Sequence, residues 1–270
     1  MSHGEYIKMP RGYKIYMEEN GKGTPIVFLH GWNSTHEVFH ESIINLQECR
    51  CIAYDCCGHG KSGAPANGIT LDTLADDLHE IISFLNLDNV VLVGWSMGAA
   101  TIWRYIHRYG CDRLAHLVLI DMSPKVLNDN DWKFGLWQGE YSIQNFMDDM
   151  TVEFTDFSKF ATSQMWKKYD LKTEVPEPCT MKNNNFHVLT ALWHSMMVTD
   201  CRENLKEIEV DVDIFYGNPG DKYLPQTAIY LSESIPSKTN LVPFYGCGHG
   251  LIWQDASKFL SELQRVVKSI

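Results

Sequence analysis

The chain has no long apolar run and no basic cluster, and no export-type leader is expected from its first residues; each of these narrows the class of protein. Its longest apolar runs are about five residues, against the roughly 20 needed to span a bilayer. Basic residues number 23 against 34 acidic ones, a formal net charge of −11. Nucleic acid and anionic membrane surfaces are therefore not expected partners. The first residues, Met1 to Tyr6, lack the charged and apolar regions of a signal peptide. The eight cysteines follow no regular spacing, so reduced thiols in a cytoplasmic protein are expected. No internal repeat or low-complexity tract is present. What remains is ordinary globular composition, 44% hydrophobic and 21% charged. Its 270 residues can bury a substantial core as one large domain or as a domain with an insertion.

One stretch organises the rest: Val90-Val91-Leu92-Val93-Gly94-Trp95-Ser96-Met97-Gly98-Ala99-Ala100. Four aliphatic residues predict a buried strand, Gly-x-Ser-x-Gly follows, and small residues then open a helix. A serine between glycines at a sharp strand-to-helix turn has its hydroxyl pushed out of the sheet into a cleft. The helix behind it offers free backbone N–H groups where negative charge would develop. The pentapeptide alone is a weak signal, but in this setting it is a strong one.

Elsewhere strands and helices alternate. Residues 5–20 read as a hairpin around Pro10-Arg11-Gly12. Ile26–Leu29, Cys51–Asp55, Leu117–Asp121, Val212–Tyr216 and Asn240–Phe244 read as buried strands. Ser34 or Thr35 can cap a helix running to about Glu48. Leu71, Leu74, Ala75, Leu78, Ile81, Ile82 and Leu85 share one helical face after Thr70. Further helices are expected over about 97–109, 226–234 and 255–268. The rhythm means a mostly parallel sheet covered on both faces.

The rhythm breaks after Met122-Ser123-Pro124. The following stretch shows helical patterns around Tyr141–Phe154, Asp156–Tyr169 and Lys182–Met197, with Pro176 and Pro178 between. It carries Trp132, Trp137, Trp166 and Trp193 and six of the eleven methionines. Such adaptable apolar side chains suit a cap over a pocket, although most of them must pack the insertion's own core. The expected division is a core of residues 1–122 and 209–270 with a helical cap at 123–208.

Loops now fall at the carboxyl ends of parallel strands, where open α/β sheets place their sites. Ser96 is the nucleophile candidate and needs a base within hydrogen-bond reach. Of the eleven histidines, His249 is the one flanked by glycines after the last strand. The base needs an anion to fix its tautomer, and Asp221, in the loop directly after a strand, fits. The order Ser, Asp, His completes the constellation.

With those residues in hand, the chain resembles the α/β-hydrolase superfamily over essentially its whole length. It is most similar to the small esterases that include the cofactor-free haloperoxidases and perhydrolases. The matching stretches are His30-Gly31-Trp32, Asp55-x-x-Gly58-His59-Gly60-Lys61-Ser62, Gly94–Gly98, Gly217…Asp221-x-x-x-Pro225 and Gly248-His249-Gly250-Leu251. The resemblance implies an α/β-hydrolase fold with its cap inserted after the strand ending at Asp121. It also implies an oxyanion hole formed by the backbone N–H groups of Trp32 and Met97. Some members of the superfamily place the acid where Asp121 stands, which makes Asp121 the alternative to Asp221. The chain departs from the pattern at Cys56-Cys57 and in a segment 217–221 one residue longer than the commonest spacing. The implied activity is hydrolysis of a small to medium, largely apolar carboxylic ester through an acyl-enzyme on Ser96. No cofactor or metal is expected. The expected partner is a small-molecule substrate, and self-association into a homo-oligomer is left open. Lactone opening, carbon–carbon bond hydrolysis, perhydrolysis and aminopeptidase chemistry use the same triad and stay open as alternatives. So does a non-catalytic hydrolase-fold receptor.

His36-Glu37-Val38-Phe39-His40 matches the zinc-protease pattern of two imidazoles four residues apart. The extended motif continues with a glycine and a further histidine, where this chain has Ile43 and Leu46, so the match is read as chance. Asp55 and His59 are expected to anchor their loop, and Cys247 to fill space beside the base.

Overall fold

A strand with apolar residues on both of its faces needs a layer on each side, and the central strands of this chain have both. In the computed structural model, which describes residues 3–151 and 185–270, Val27 and Leu29 pack into one layer while Ile26 and Phe28 pack into the other. The same period-two split divides Val90 and Leu92 from Val91 and Val93, and Leu117 and Leu119 from Val118 and Ile120.

Eight strands form one sheet: β1 (His3–Lys8), β2 (Lys14–Asn20), β3 (Thr24–Leu29), β4 (Cys49–Tyr54), β5 (Val90–Trp95), β6 (Leu114–Ile120), β7 (Asp211–Asn218) and β8 (Thr239–Tyr245). Their order is β1-β2-β4-β3-β5-β6-β7-β8. The first two strands form the expected hairpin, β2 runs antiparallel to β4, and every later pairing is parallel. The carboxyl ends of β3 to β8 therefore meet along one edge.

The helices are α1 (His40–Asn45), α2 (Leu71–Phe84), α3 (Met97–Tyr109), α4 (Ile143–Thr151), α5 (Phe186–Val198), α6 (Pro225–Ser234), α7 (Leu251–Gln254) and α8 (Ala256–Lys268). Apolar faces of α2, α3 and α6 cover one side of the sheet, and those of α1 and α8 the other. The helix expected from Ser34 or Thr35 to Glu48 is shorter than its pattern. A 3-10 turn fills His36–Phe39 and α1 has six residues. Asp55 pins the turn by accepting from both the N–H of His36 (2.9 Å) and its ring Nδ1 (2.7 Å). A Leu46–Cys49 turn then delivers the chain to β4 (3.0 Å).

Between β6 and β7 the described residues include two of the expected helices, as α4 and α5. Asn185 caps α5 by accepting from the N–H groups of His187 (3.0 Å) and Val188 (3.4 Å). The helix expected at Asp156–Tyr169, with Trp166, Pro176, Pro178 and Cys179, lies outside the described residues. The seven described cysteines are unpaired and buried. No described helix is long and apolar enough to cross a membrane.

Candidate active site

Ser96 sits between β5 and α3 at φ 54° and ψ −118°, a conformation rarely adopted by a residue with a side chain. Holding it costs on the order of 1–3 kcal/mol, and the flanking glycines make it feasible. A Cβ on Gly98 would lie 2.2 Å from the carbonyl oxygen of Leu29, and one on Gly94 would lie 2.7 Å from the Ala99 nitrogen. Within α3 the ladder starts with Ala99 and Ala100 donating to the Ser96 carbonyl (2.9 and 3.3 Å). The N–H of Met97, in the first turn, lies outside that ladder, as oxyanion donation requires.

His249 follows β8 and lines the same pocket as Ser96. Two carboxylates reach it. Its ring Nδ1 donates to Asp121 Oδ2 at 2.7 Å, which leaves Nε2 as the basic nitrogen. Asp221, expected from the sequence to bond the ring, is placed on the main chain instead. Its Oδ1 accepts from the backbone N–H groups of His249 (2.6 Å) and Lys222 (2.9 Å), and its Oδ2 has no hydrogen-bond partner among the described residues. The physical reasons lie in the backbone. The Asp221 carboxylate packs under Gly248, where a Cβ would come within 2.5 Å of its carboxyl carbon. Asp121, at φ 44°, turns off the end of β6 and accepts the Gly217 N–H at the end of β7 (3.3 Å), within reach of the histidine. A positive φ at an aspartate cannot be read from sequence.

Two buried histidines support the loop that carries the other oxyanion candidate, Trp32. His30 accepts the Cys56 N–H on Nε2 (2.9 Å) and donates from Nδ1 to Gly31 O (2.8 Å). His59 accepts the Asn33 N–H on Nε2 (3.2 Å) and donates from Nδ1 to Cys57 O (3.1 Å). Burial pushes His30 down to about 4 and His59 down to about 3. Both are neutral at pH 7 and join the loop after β3 to the loop after β4. Asp55 anchors that second loop, as expected, by accepting the Lys61 N–H on Oδ2 (2.8 Å). Burial alone would raise its pKa, but hydrogen bonding and charge from His36 hold it below the ordinary aspartate value.

The two histidines of the zinc-protease pattern do not converge. His36 is buried, with Nδ1 on Asp55 and Nε2 3.2 Å from Glu18, near enough for an ion pair but not aligned as a hydrogen bond. His40 is exposed on α1.

The pocket is a cavity of about 710 Å³, its mouth included. Trp32, Ser96 and His249 line it together with Trp137, Trp193, Met196 and Met197 from the segment between β6 and β7. Trp132 instead packs against Phe134 and Tyr230 (5.3 and 4.7 Å between rings). Trp95, whose role the sequence left open, supports the base: its indole N–H donates to the His249 carbonyl at 2.9 Å. The pocket also holds a residue that sequence reasoning missed. Lys222 lines it and is only 4% exposed, and no motif marks it.

Residues 24–256 match the model of the alpha/beta hydrolase fold family. A putative non-heme chloroperoxidase from Synechocystis is 30% identical over 254 residues, covering 90% of this chain and 91% of that protein. Among solved structures, an esterase from Exiguobacterium antarcticum superposes with a TM-score of 0.86 at 27% identity, covering 98% of this chain and 100% of that one. A bromoperoxidase from Bacillus anthracis superposes with a TM-score of 0.82 at 26% identity, with coverage of 98% and 100%. By its sheet order, its serine turn and these matches, the chain belongs to the α/β-hydrolase fold family, alongside esterases and haloperoxidases of the cofactor-free type.

Proposed function

We propose that the protein is a serine hydrolase that cleaves a carboxylic ester through an acyl-enzyme on Ser96. The observation that carries this reading is the pairing of a strained, pocket-lining Ser96 with a pocket-lining His249 whose Nδ1 is bonded to a buried carboxylate. His249 Nε2 takes the Ser96 proton as Oγ attacks the ester carbonyl. The backbone N–H groups of Trp32 and Met97 hold the tetrahedral oxyanion, each worth about 3–4 kcal/mol in such sites. Protonated His249 then gives its proton to the departing alkoxide. Water, deprotonated by the same nitrogen, cleaves the acyl-enzyme and regenerates the serine. Asp121 is the triad acid in this reading, and Asp221 fixes the main chain of the histidine loop. Residues 123–208 act as the cap, whose aromatic and methionine side chains accept an apolar group of the substrate. The seven described thiols, buried and unpaired, favour a reducing compartment, the cytoplasm.

Hydrolysis of p-nitrophenyl esters of rising chain length tests the reading. A burst of p-nitrophenol equal to the enzyme concentration, absent in Ser96→Ala, is expected. Ester turnover that persists in Ser96→Ala would overturn it.

A further inference from the structure

Lysine is almost never fully buried without an anionic partner, because its ammonium is costly to strip of water. Lys222 is 4% exposed and lines the pocket that holds Ser96 and His249. Its main chain is fixed at both ends, the N–H donating to Asp221 Oδ1 (2.9 Å) and the carbonyl accepting from Gln138 N–H (2.8 Å). The side chain is held over the Trp137 ring, with Nζ 5.0 Å from its centroid. Among the described residues the ammonium has no hydrogen-bond or ion-pair partner.

The groups facing it are few. Asp221 and Asp121 lie on the loops after β7 and β6, and their charges favour the ammonium. Asp121 Oδ2 and Asp221 Oδ1 are bonded to His249, and Asp221 Oδ2, which has no hydrogen-bond partner among the described residues, makes no ion pair with Lys222. Tyr223 turns its hydroxyl to the Met122 sulfur (3.2 Å). Asp149, the other charged residue among the pocket lining, is engaged by the Tyr141 hydroxyl. Burial outweighs the attraction of the two carboxylates and pushes the Lys222 amine down to about 7. A bound anion would restore the cationic form.

We propose that Lys222 is a specificity residue that receives a carboxylate carried by the substrate, so that the preferred ester bears a second, anionic carboxyl group. This rests on the ester reading of the same pocket. A single carboxylate fits better than a phosphate. The lining offers one lysine among mostly apolar and aromatic side chains, with its one acidic residue, Asp149, bonded to Tyr141, and the chain's net charge of −11 opposes a multiply charged ligand.

Two esters of equal length separate the outcomes: mono-p-nitrophenyl glutarate, which is anionic, and p-nitrophenyl pentanoate, which is neutral. Both are assayed at about pH 6.5, below the value of about 7 to which burial lowers the Lys222 amine. The wild-type enzyme should favour the glutarate ester. Lys222→Met should cut the ratio of the two kcat/KM values by about tenfold or more, and Lys222→Arg should keep part of the preference. Calorimetry with free glutarate on Ser96→Ala needs no turnover. It should show binding that disappears in the Ser96→Ala, Lys222→Met double variant. An unchanged ratio in Lys222→Met together with no glutarate binding would overturn the proposal while leaving the ester reading intact. Lys222-dependent glutarate binding without turnover of either ester would overturn the ester reading and leave the carboxylate seat standing.

Discussion

Asp121 and Asp221 come to His249 from neighbouring strand ends and do different work. Asp121, on the loop after β6, bonds the ring, whereas Asp221, on the loop after β7, bonds the main chain. A carboxylate on the ring selects the tautomer and stabilises the imidazolium that forms during attack. A carboxylate on the main chain sets only where the ring stands. Adjacent loops of one sheet edge can therefore exchange the acid's role with little change in the fold.

That contrast is broken or sharpened by paired variants. Asp121→Asn should lower kcat by about 1,000- to 10,000-fold, because an asparagine can hold the wrong tautomer. Asp221→Asn should cost about ten- to a hundredfold, through displacement of the histidine loop, as for a misplaced but intact group. Steady-state kinetics on both variants decides the matter, and the reverse order of losses would return the acid's role to Asp221. Trp95→Phe removes only the indole donor to the His249 carbonyl. A loss of about three- to tenfold in kcat is expected, equivalent to one hydrogen bond, with KM for a short ester changed less.

How much was legible in the sequence follows from the same residues. Ser96 and His249 could be read because glycines flank each of them in a loop after a strand. The sheet could be read because its central strands are apolar on both faces. The ring-bonding acid is misread from the sequence as Asp221, with Asp121 as the alternative, because both candidates end neighbouring strands. Positive φ at Asp121 and packing beneath Gly248 decide between them, and neither has a sequence signature. The helix after Ser34 was read too long because the ties from Asp55 to His36, across 19 positions, override local pattern. Lys222 was missed because a lysine beside an acidic loop reads as a solvated charge. Burial is what makes it unusual.

A buried carboxylate with no part in the chemistry provides the smallest effect and a control. Asp77 is hydrogen-bonded to the Tyr13 hydroxyl, and burial pushes it up to about 7. Its folded pKa lies above its unfolded value near 3.8. Its contribution is therefore most favourable below the unfolded value and is lost as pH rises through about 7. Asp77→Asn should consequently be more stable than wild type by about 1–2 kcal/mol at pH values near 8. The gap should close as pH falls toward about 4, with kcat unchanged throughout. Denaturant titrations across that pH range check it, and a gap that widens on acidification would contradict the assignment.

The central claim is that Ser96 is a nucleophile activated by His249. A fluorophosphonate probe followed by intact-mass and peptide analysis tests it most directly. The account predicts one adduct per folded chain, on the peptide containing Ser96, with none in Ser96→Ala and strongly slowed labelling in His249→Ala. Folded wild-type protein that takes up no probe, or takes it up at another residue, would contradict it.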